Sequence, residues 1–338
     1  MGLGPQTLTT PDDAPDDAPD DVPAASVIVP VRDRRVLLAA CLAGLQEQTR
    51  RDFEVVVVDD GSTDGSGDEA AAWGATVVRS HGQGAVAARR AGVAAARAPV
   101  LAFTDSDCVP GPGWIAAGLA SVHAGADMVQ GRTMPARPVA PGERTMWVEH
   151  EDPTYPTCNV FYRRDAYDRA GGFDPGASER LGFRPGSRLR GLGFGEDTLL
   201  GWTVRRSGRC VFEPAAEVAH AVFPISERDT LVRAWATGGF PALVREVPEL
   251  RDAMWGRVFL GGPARLPLYA AVVAAAARRP VVALGLVCLW ASARARPGVR
   301  WEPRWRRRVR VLALDLASDA LQAVALAAAS VKARTPVL

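Results

Sequence analysis

Two rhythms of apolar and polar positions alternate along the first two thirds of the chain. Ala25-Ser26-Val27-Ile28-Val29-Pro30 is a short apolar run stopped by proline, which predicts a buried strand. After Arg32-Asp33, Leu38, Leu42 and Leu45 recur at helical spacing. Phe53 to Val58 is a second apolar run, ending in Asp59-Asp60-Gly61-Ser62, and Ala75 to Val78 is a third. The loop Gly82-Gln83-Gly84 leads into a helical stretch from Ala85 to Arg97 that carries Arg89 and Arg90. A fourth run begins at Val100, is bounded by Pro99 and Pro110, and ends in Thr104-Asp105-Ser106-Asp107. Strands alternating with helices of this length predict β-α-β units and a mostly parallel sheet with right-handed crossovers.

Further on, Gly111 to Ala124 predicts a helix and Asp127 to Gly131 a strand. Cys158 to Arg164 leads into a short helix that ends at Gly171-Gly172-Phe173-Asp174. Residues 176–195 are rich in Gly and Arg, with little apolar periodicity, and read as a mobile loop at the active site. Gly195-Glu196-Asp197 opens a helix through Leu199, Leu200 and Val204; Cys210 to Phe212 and Val218 to His220 read as two short strands.

The last third changes character. Leu231, Trp235, Phe240 and Val244 give residues 225–260 an amphipathic helical pattern. Residues 266–277 and 281–293 are apolar, but Arg278-Arg279-Pro280 separates them, and each is short of the roughly 20 apolar residues a spanning helix needs. An Arg-dense stretch with Trp301 and Trp305 follows, then an amphipathic run from Val311 to Val331 that carries Asp315 and Asp319. At the other end, residues 1–23 hold a short acidic, Pro-rich repeat that has nothing to bury. The expected organisation is a disordered tail over 1–23, an α/β domain over 24–222 and a helical region over 223–338.

Composition adjusts this picture only slightly. With 338 residues, 48% of them hydrophobic, there is material for one large α/β core plus an appendage. The net charge of +2 hides an acidic N-terminus and an Arg-rich last third, in which Lys332 is the chain's single lysine; this skew does not call for a nucleic-acid partner. Cys41, Cys108, Cys158, Cys210 and Cys288 form no C-x-x-C pair, so a disulfide framework or zinc site is not expected. Cys41 and Cys288 sit in apolar helical patterns and read as core thiols. No basic segment followed by an apolar run opens the chain, and a reducing cytoplasmic setting is the expectation.

The candidate chemistry lies at the end of the fourth strand. In extended backbone, residues two apart face the same way, so Asp105 and Asp107 would share the crevice at the strand's carboxyl end, where open α/β sheets hold ligands. Two carboxylates that close repel unless a cation joins them, which points to a divalent ion clamping a phosphate; an isolated pair could equally be two solvated loop aspartates. The first strand lacks the G-x-G-x-x-G turn of a dinucleotide-binding domain, and no G-x-x-x-x-G-K-[ST] phosphate loop occurs. Glu196 and Asp197, taken alone, would simply suit the positive end of a helix.

Taken in order, Ser26 to Pro30, Asp59 to Asp64, Ala88-Arg89-Arg90, Thr104 to Asp107, Asn159 to Phe173, Gly195-Glu196-Asp197 and Val218-Ala219-His220 resemble a family 2 glycosyltransferase of the GT-A fold over roughly residues 25–222. The resemblance implies inverting, metal-dependent transfer of a sugar from a nucleotide-sugar, a UDP-sugar in the first instance. It implies that Pro30, Arg32, Asp33, Asp59 and Asp60 line the nucleotide pocket, that Arg89 helps hold the donor, and that Asp105 contacts ribose or metal. Asp107 and His220 would hold Mg²⁺ or Mn²⁺, with Asp105 beside them. Asp197 would be the general base, with Glu196 next to it; Asn159, Arg163 and Arg164 are candidates for acceptor or phosphate contacts. Arg32-Asp33 stands where many relatives have an aromatic residue followed by Asn, and the 176–195 stretch is longer than the minimal pattern.

A nucleoside diphosphate leaving group explains the cation, and inversion needs one carboxylate to take the acceptor proton. Expected partners are therefore a nucleotide-sugar and a saccharide or lipid-linked acceptor. Arg and Trp together in the last third suit an anionic headgroup layer, so peripheral attachment to the inner face of the cell membrane is expected, against a soluble helical appendage. Two competing readings are a non-catalytic nucleotide-sugar-binding scaffold and a sugar-phosphate nucleotidyltransferase. The latter needs a Gly-rich, Lys-containing loop after the first strand, which this chain does not have.

Overall fold

A computed structural model describes residues 22–140, 142–183, 195–260, 263–294 and 305–338. The expected tail over 1–23 falls almost wholly outside these residues, as do Arg184, Arg188 and Arg190 of the Gly/Arg-rich stretch. Up to His220, the elements follow the predicted rhythm: β1 (Ala25–Val31), α1 (Arg35–Gln46), β2 (Phe53–Asp59), α2 (Ser66–Trp73), β3 (Thr76–Arg79), α3 (Ala85–Ala95) and β4 (Val100–Thr104). There follow β5 (Cys108–Pro110), α4 (Trp114–His123), β6 (Met128–Pro135), β7 (Glu143–Arg144), β8 (Asn159–Arg163), α5 (Arg164–Arg169), α6 (Ala177–Arg180), α7 (Glu196–Ser207) and β9 (Cys210–His220).

Eight strands form one sheet in the order β3-β2-β1-β4-β8-β6-β9-β5. β3, β2, β1 and β4 run parallel, as do β6 and β9, while β8 runs against both of its neighbours and β5 against β9. The sheet is mostly parallel and helix-flanked, with a helical C-terminal region, and matches the GT-A-type architecture. β1, β2 and β4 are buried on both faces, which is why they read as continuous apolar runs. α1 and α4 cover one face through Leu38, Leu42, Leu45, Ile115 and Leu119. α3 covers part of the other, and it comes close because Gly92 has no side chain: a Cβ there would lie 2.5 Å from Ile28 Cγ2.

Three sequence expectations are corrected. Cys210 to His220 is one eleven-residue strand rather than two short ones, because β6 extends to Pro135 and gives it a partner past a register shift between Gly131 and Thr133. Asp105 and Asp107 are not on extended backbone: Cys108 N–H bonds to Asp105 C=O at 3.0 Å, so the pair sits on a tight turn between β4 and β5. Cys41 is buried as expected, but Cys288 is exposed.

Beyond His220 come β10 (Phe223–Pro224), α8 (Glu227–Ala236), α9 (Phe240–Glu246), α10 (Leu266–Ala276), α11 (Pro280–Arg294) and α12 (Trp305–Ala333). β10 pairs antiparallel with β7. Leu243, Val244, Val247, Leu250, Leu326 and Val337 form a separate apolar cluster that also takes in Leu181 and Phe183. α10 and α11 make a helical hairpin on which Val272, Val273, Val281 and Leu284 are exposed. Asp319 of α12 is buried, accepting hydrogen bonds from Arg265 Nε at 2.9 Å and from the buried Trp290 Nε1 at 3.0 Å. Val309–Ala333 is long and apolar enough to cross a membrane by length and composition, and 22% of its apolar window is buried.

Candidate active site

Because β2, β1 and β4 are parallel neighbours, the loops after Val31, Asp59 and Thr104 emerge at the same end of the sheet. Between them lies a cavity of about 550 Å³ lined by, among others, Pro30, Arg32, Asp33, Asp60, Arg89 and the Asp105–Asp107 turn. Asp60 is buried; its carboxylate accepts from the Ser80 hydroxyl and from the backbone N–H groups of Gln83 (2.9 Å) and Gly84 (2.8 Å). Burial alone would raise its pKa, but these donors hold it below the ordinary aspartate value. Asp33 adopts φ 49° and its carboxylate accepts from Thr63 N–H at 2.7 Å, tying the first loop to the second. Asp59 does not line the cavity: it is buried toward α2, accepting from Ser62 N–H at 2.9 Å, with Arg79 Nη1 at 3.7 Å.

Asp107 lies between Arg34 and His220. Arg34 Nη1 approaches one of its oxygens at 3.3 Å and His220 Nε2 the other at 3.6 Å. Burial and the neighbouring Asp105 charge raise the Asp107 pKa, while His220 and Arg34 oppose the rise. His220 reaches this position because β9 pairs it directly opposite Cys108, the residue after Asp107. Its Nδ1 lies 2.7 Å from Ala221 C=O and 3.0 Å from the Thr145 hydroxyl, contacts that orient the ring so that Nε2 faces Asp107.

Asp107, Cys108 and His220 present ligand atoms within 4.8 Å of one another. The Cys108 thiol is buried against Cys158, and that contact together with burial holds its pKa far above the ordinary thiol value. A carboxylate and an imidazole oriented by a backbone carbonyl fit a hard divalent cation whose remaining ligands are phosphate oxygens.

Arg89 connects this end to the start of α7. Its guanidinium is buried and pairs with Asp105 at 2.9 Å. Burial works against the charge, but Asp105, Glu196 and Asp197 together raise the pKa. Gly195, at φ 78°, precedes Glu196 and Asp197; a Cβ on it would lie 2.5 Å from Leu181 Cδ1. Burial and the Glu196 charge push Asp197 up to about 7. Glu196 Oε2, Arg89 Nε and the Tyr162 hydroxyl are buried without hydrogen-bond partners among the described residues. Buried polar groups are normally paired, and two of these orphaned atoms, on Glu196 and Arg89, belong to residues at the join between the two carboxylate sets.

The remaining sequence candidates lie elsewhere. Asn159 is buried and saturated: it donates to Arg132 C=O (2.8 Å) and Ala216 C=O (2.9 Å) and accepts from Trp114 Nε1 (2.8 Å). Since β8 runs against β4, Arg163 is paired with Val100, at the opposite end from Asp105. Arg163 bonds to Asp127 and Asp165, and Arg164 donates to the Ala96 and Ala98 carbonyls, each at 2.8 Å. The structure therefore does not bring Arg163 and Arg164 to the cavity. It does bring Arg34, which sequence reasoning missed; Phe223 and Arg144 lie beside Arg34 but outside the cavity lining. The guanidinium carbons of Arg34 and Arg144 lie 4.9 and 5.4 Å from the Phe223 ring centre.

Residues 26–173 match the profile of glycosyl transferase family 2. Glycosyltransferase AglE of Haloferax volcanii is 33% identical over 118 residues, which span 32% of this chain and 39% of that protein. Validoxylamine A glucosyltransferase of Streptomyces hygroscopicus subsp. jinggangensis is 39% identical over 119 residues, 30% of this chain and 26% of that protein. The chain thus covers well under two thirds of the length of these relatives. Among solved structures, mannosyltransferase PcManGT from Pyrobaculum calidifontis, in complex with GDP-Man and Mn²⁺, superposes with a TM-score of 0.59 at 19% identity, covering 92% of this chain and 89% of that one.

Proposed function

From a chain whose residues 26–173 belong to glycosyl transferase family 2, we propose an inverting, divalent-metal-dependent sugar transfer from a nucleotide-diphosphate sugar to an acceptor hydroxyl. The observation that carries this reading is Arg89, bonded to Asp105 on the cavity side and held in the field of Glu196 and Asp197 on the other. It joins a donor cavity to a half-buried carboxylate whose pKa near 7 suits a base working at neutral pH.

The nucleotide base enters beside Pro30, Arg32 and Asp60, where a carboxylate can accept an imide N–H of the kind uracil offers; UDP is the proposed nucleotide. Asp107 and His220, with Asp105 beside them, hold Mg²⁺ or Mn²⁺, an assignment in keeping with the Mn²⁺ named for the mannosyltransferase neighbour. When bound, the ion offsets the charge that grows on the diphosphate as the glycosidic bond breaks. Arg89 fixes Asp105 and keeps Asp197 and Glu196 close to the donor. Asp197, ionised, accepts the acceptor hydroxyl proton on the face away from the leaving group, and the hydroxyl oxygen bonds to the anomeric carbon. Glu196 raises the basicity of Asp197 through its own charge.

The chain is further proposed to act at the cytoplasmic face of a membrane. The exposed apolar residues of the α10–α11 hairpin, flanked by Arg278 and Arg279, suit an interfacial position. Titration calorimetry with UDP and Mn²⁺, repeated on Asp107→Ala, tests the donor assignment: metal-dependent binding in the parent and its loss in the variant are expected. A parent that binds none of UDP, GDP and dTDP with Mn²⁺ or Mg²⁺ leaves only a scaffold.

A further inference from the structure

Arg34 and Arg144, from separate elements, stack on Phe223 beside the Asp107–His220 pair, and the charge of Arg233 acts on Arg144 as well, with too little acid to balance them. Arg34 follows β1, Arg144 is on β7, and Arg233 is on α8. The β7–β10 ladder sets Arg144 directly opposite Phe223. The Phe223 ring carries the Arg34 and Arg144 guanidinium groups at 4.9 and 5.4 Å and meets the His220 ring edge-on at 6.2 Å. Cations stacked on one ring are held in fixed planes and need little reordering to receive a ligand.

The charges do not cancel. Burial first, then repulsion from Arg233 and Arg34, depress the Arg144 pKa, and the acids opposing this are Asp107 and Asp229. Asp107 is already shared between Arg34 and His220. Asp229 accepts from the Ser226 hydroxyl at 2.6 Å, in the cap of α8. Among the described residues, neither Arg144 nor Arg233 has a carboxylate at ion-pair distance. Like charges gathered and partly desolvated without counter-ions mark a place where an oxyanion completes the set.

Position separates this cluster from the donor. Arg34 lines the donor cavity, whereas Phe223, Arg144 and Arg233 do not. The donor diphosphate has its own cations in Arg32, Arg34, Arg89 and the divalent ion. We propose that Phe223, Arg144 and Arg233, with Arg34 at the border, form a second oxyanion site, and that it holds a phosphate ester carried by the acceptor. This rests on the donor-cavity reading above and adds to it the class of acceptor. The phosphate could belong to a soluble sugar phosphate or to a lipid headgroup, and the same guanidinium geometry would receive either.

The test uses the full chain saturated with UDP and Mn²⁺, titrated with glycerol 3-phosphate, with glycerol as the uncharged control, and in parallel with phosphatidylcholine vesicles containing phosphatidic acid. Expected is saturable binding of glycerol 3-phosphate or of the acidic vesicles, whichever arm responds identifying the source, and no response to glycerol. Arg144→Gln and Arg233→Gln should each weaken that binding roughly tenfold or more, the size of a lost charge-assisted bond, while Arg144→Lys retains part of it. UDP affinity should change less than twofold in the same variants, which also shows that they are folded. Equal phosphate binding by parent and Gln variants, or none by the parent in either arm, overturns the site. A parallel fall in UDP affinity reassigns the arginines to the donor and overturns the acceptor assignment. If UDP itself fails to bind the parent, the donor reading fails, yet the same titrations without nucleotide still decide the arginine site.

Discussion

At the scale of single residues, Asp197 has the most closely defined behaviour. A base acts only when ionised, so the transfer rate should rise with pH through about 7 and level off above it. Asp197→Asn removes the proposed base and should cost roughly 10²–10⁴ in turnover, measured as nucleotide release. The same raised pKa has an opposite effect on stability. A carboxyl whose folded pKa exceeds its unfolded value of about 3.9 binds protons more tightly when folded, so its charge destabilises the native state as pH rises from that value toward 7, and fully above it. Asp197→Asn should therefore melt higher than the parent at pH 8, and this gain should shrink toward pH 4. Asp197 and Glu196 are singled out in the sequence by the Gly195-Glu196-Asp197 run and its place in the order of motifs, and the structure puts them at the start of α7. Arg34, Phe223 and Arg144 are not singled out, because nothing in their spacing shows that β7 and β10 pair or that a β1–α1 loop arginine turns back onto Asp107.

Among elements, the parallel half of the sheet was the most legible, since strands buried on both faces advertise themselves as Val/Ile/Leu runs. Register was not. Arg163 and Arg164 follow the Asn159 motif closely in sequence, but a five-residue strand antiparallel to β4 carries them to the far edge, where they bind Asp127 and helix-end carbonyls. The single strand β9 was likewise read as two, because its middle residues Pro214 and Ala215 are exposed and break the apolar pattern. α3 offers the clearest packing test. Gly92→Val would push its side chain into Ile28 and Val58, lifting the helix that carries Arg89. A loss of about 1–3 kcal/mol in a urea titration is expected, with a weaker nucleotide response accompanying it. Gly84→Ala, at φ 93° but with open space around its Cβ, strains only the backbone and should cost about 1 kcal/mol by the same titration.

For the whole molecule, the passage from a sheet to a helical C-terminal region was visible in the change of pattern along the chain. The relation between the two was not. Leu181 and Phe183, inside the Gly/Arg-rich stretch that the sequence reads as a mobile loop, instead follow the short helix α6 and pack with Leu243, Val244 and Leu326, so the two regions share an apolar cluster. Membrane binding is testable at this scale. Cosedimentation with vesicles rich in anionic lipid should be strong at low salt and should fall, without vanishing, in high salt, since hairpin burial is apolar and the arginine contribution is screened. Recovery wholly in the supernatant at low salt would leave the hairpin as a surface for protein contact. Replacing Val273 and Leu284 together with Asn should reduce sedimentation while leaving UDP affinity in place.

The buried contact of Asp319 with Arg265 and Trp290 bears on how the purified protein will behave. α12 is held to the segment before it by side chains and not only by the peptide link between Arg294 and Trp305. A single protease cut in that link should yield two bands under denaturing electrophoresis but one peak on a sizing column. Asp319→Ala should loosen the two pieces without parting them, because Leu326 and Val337 still pack with Leu243, Val244 and Leu250.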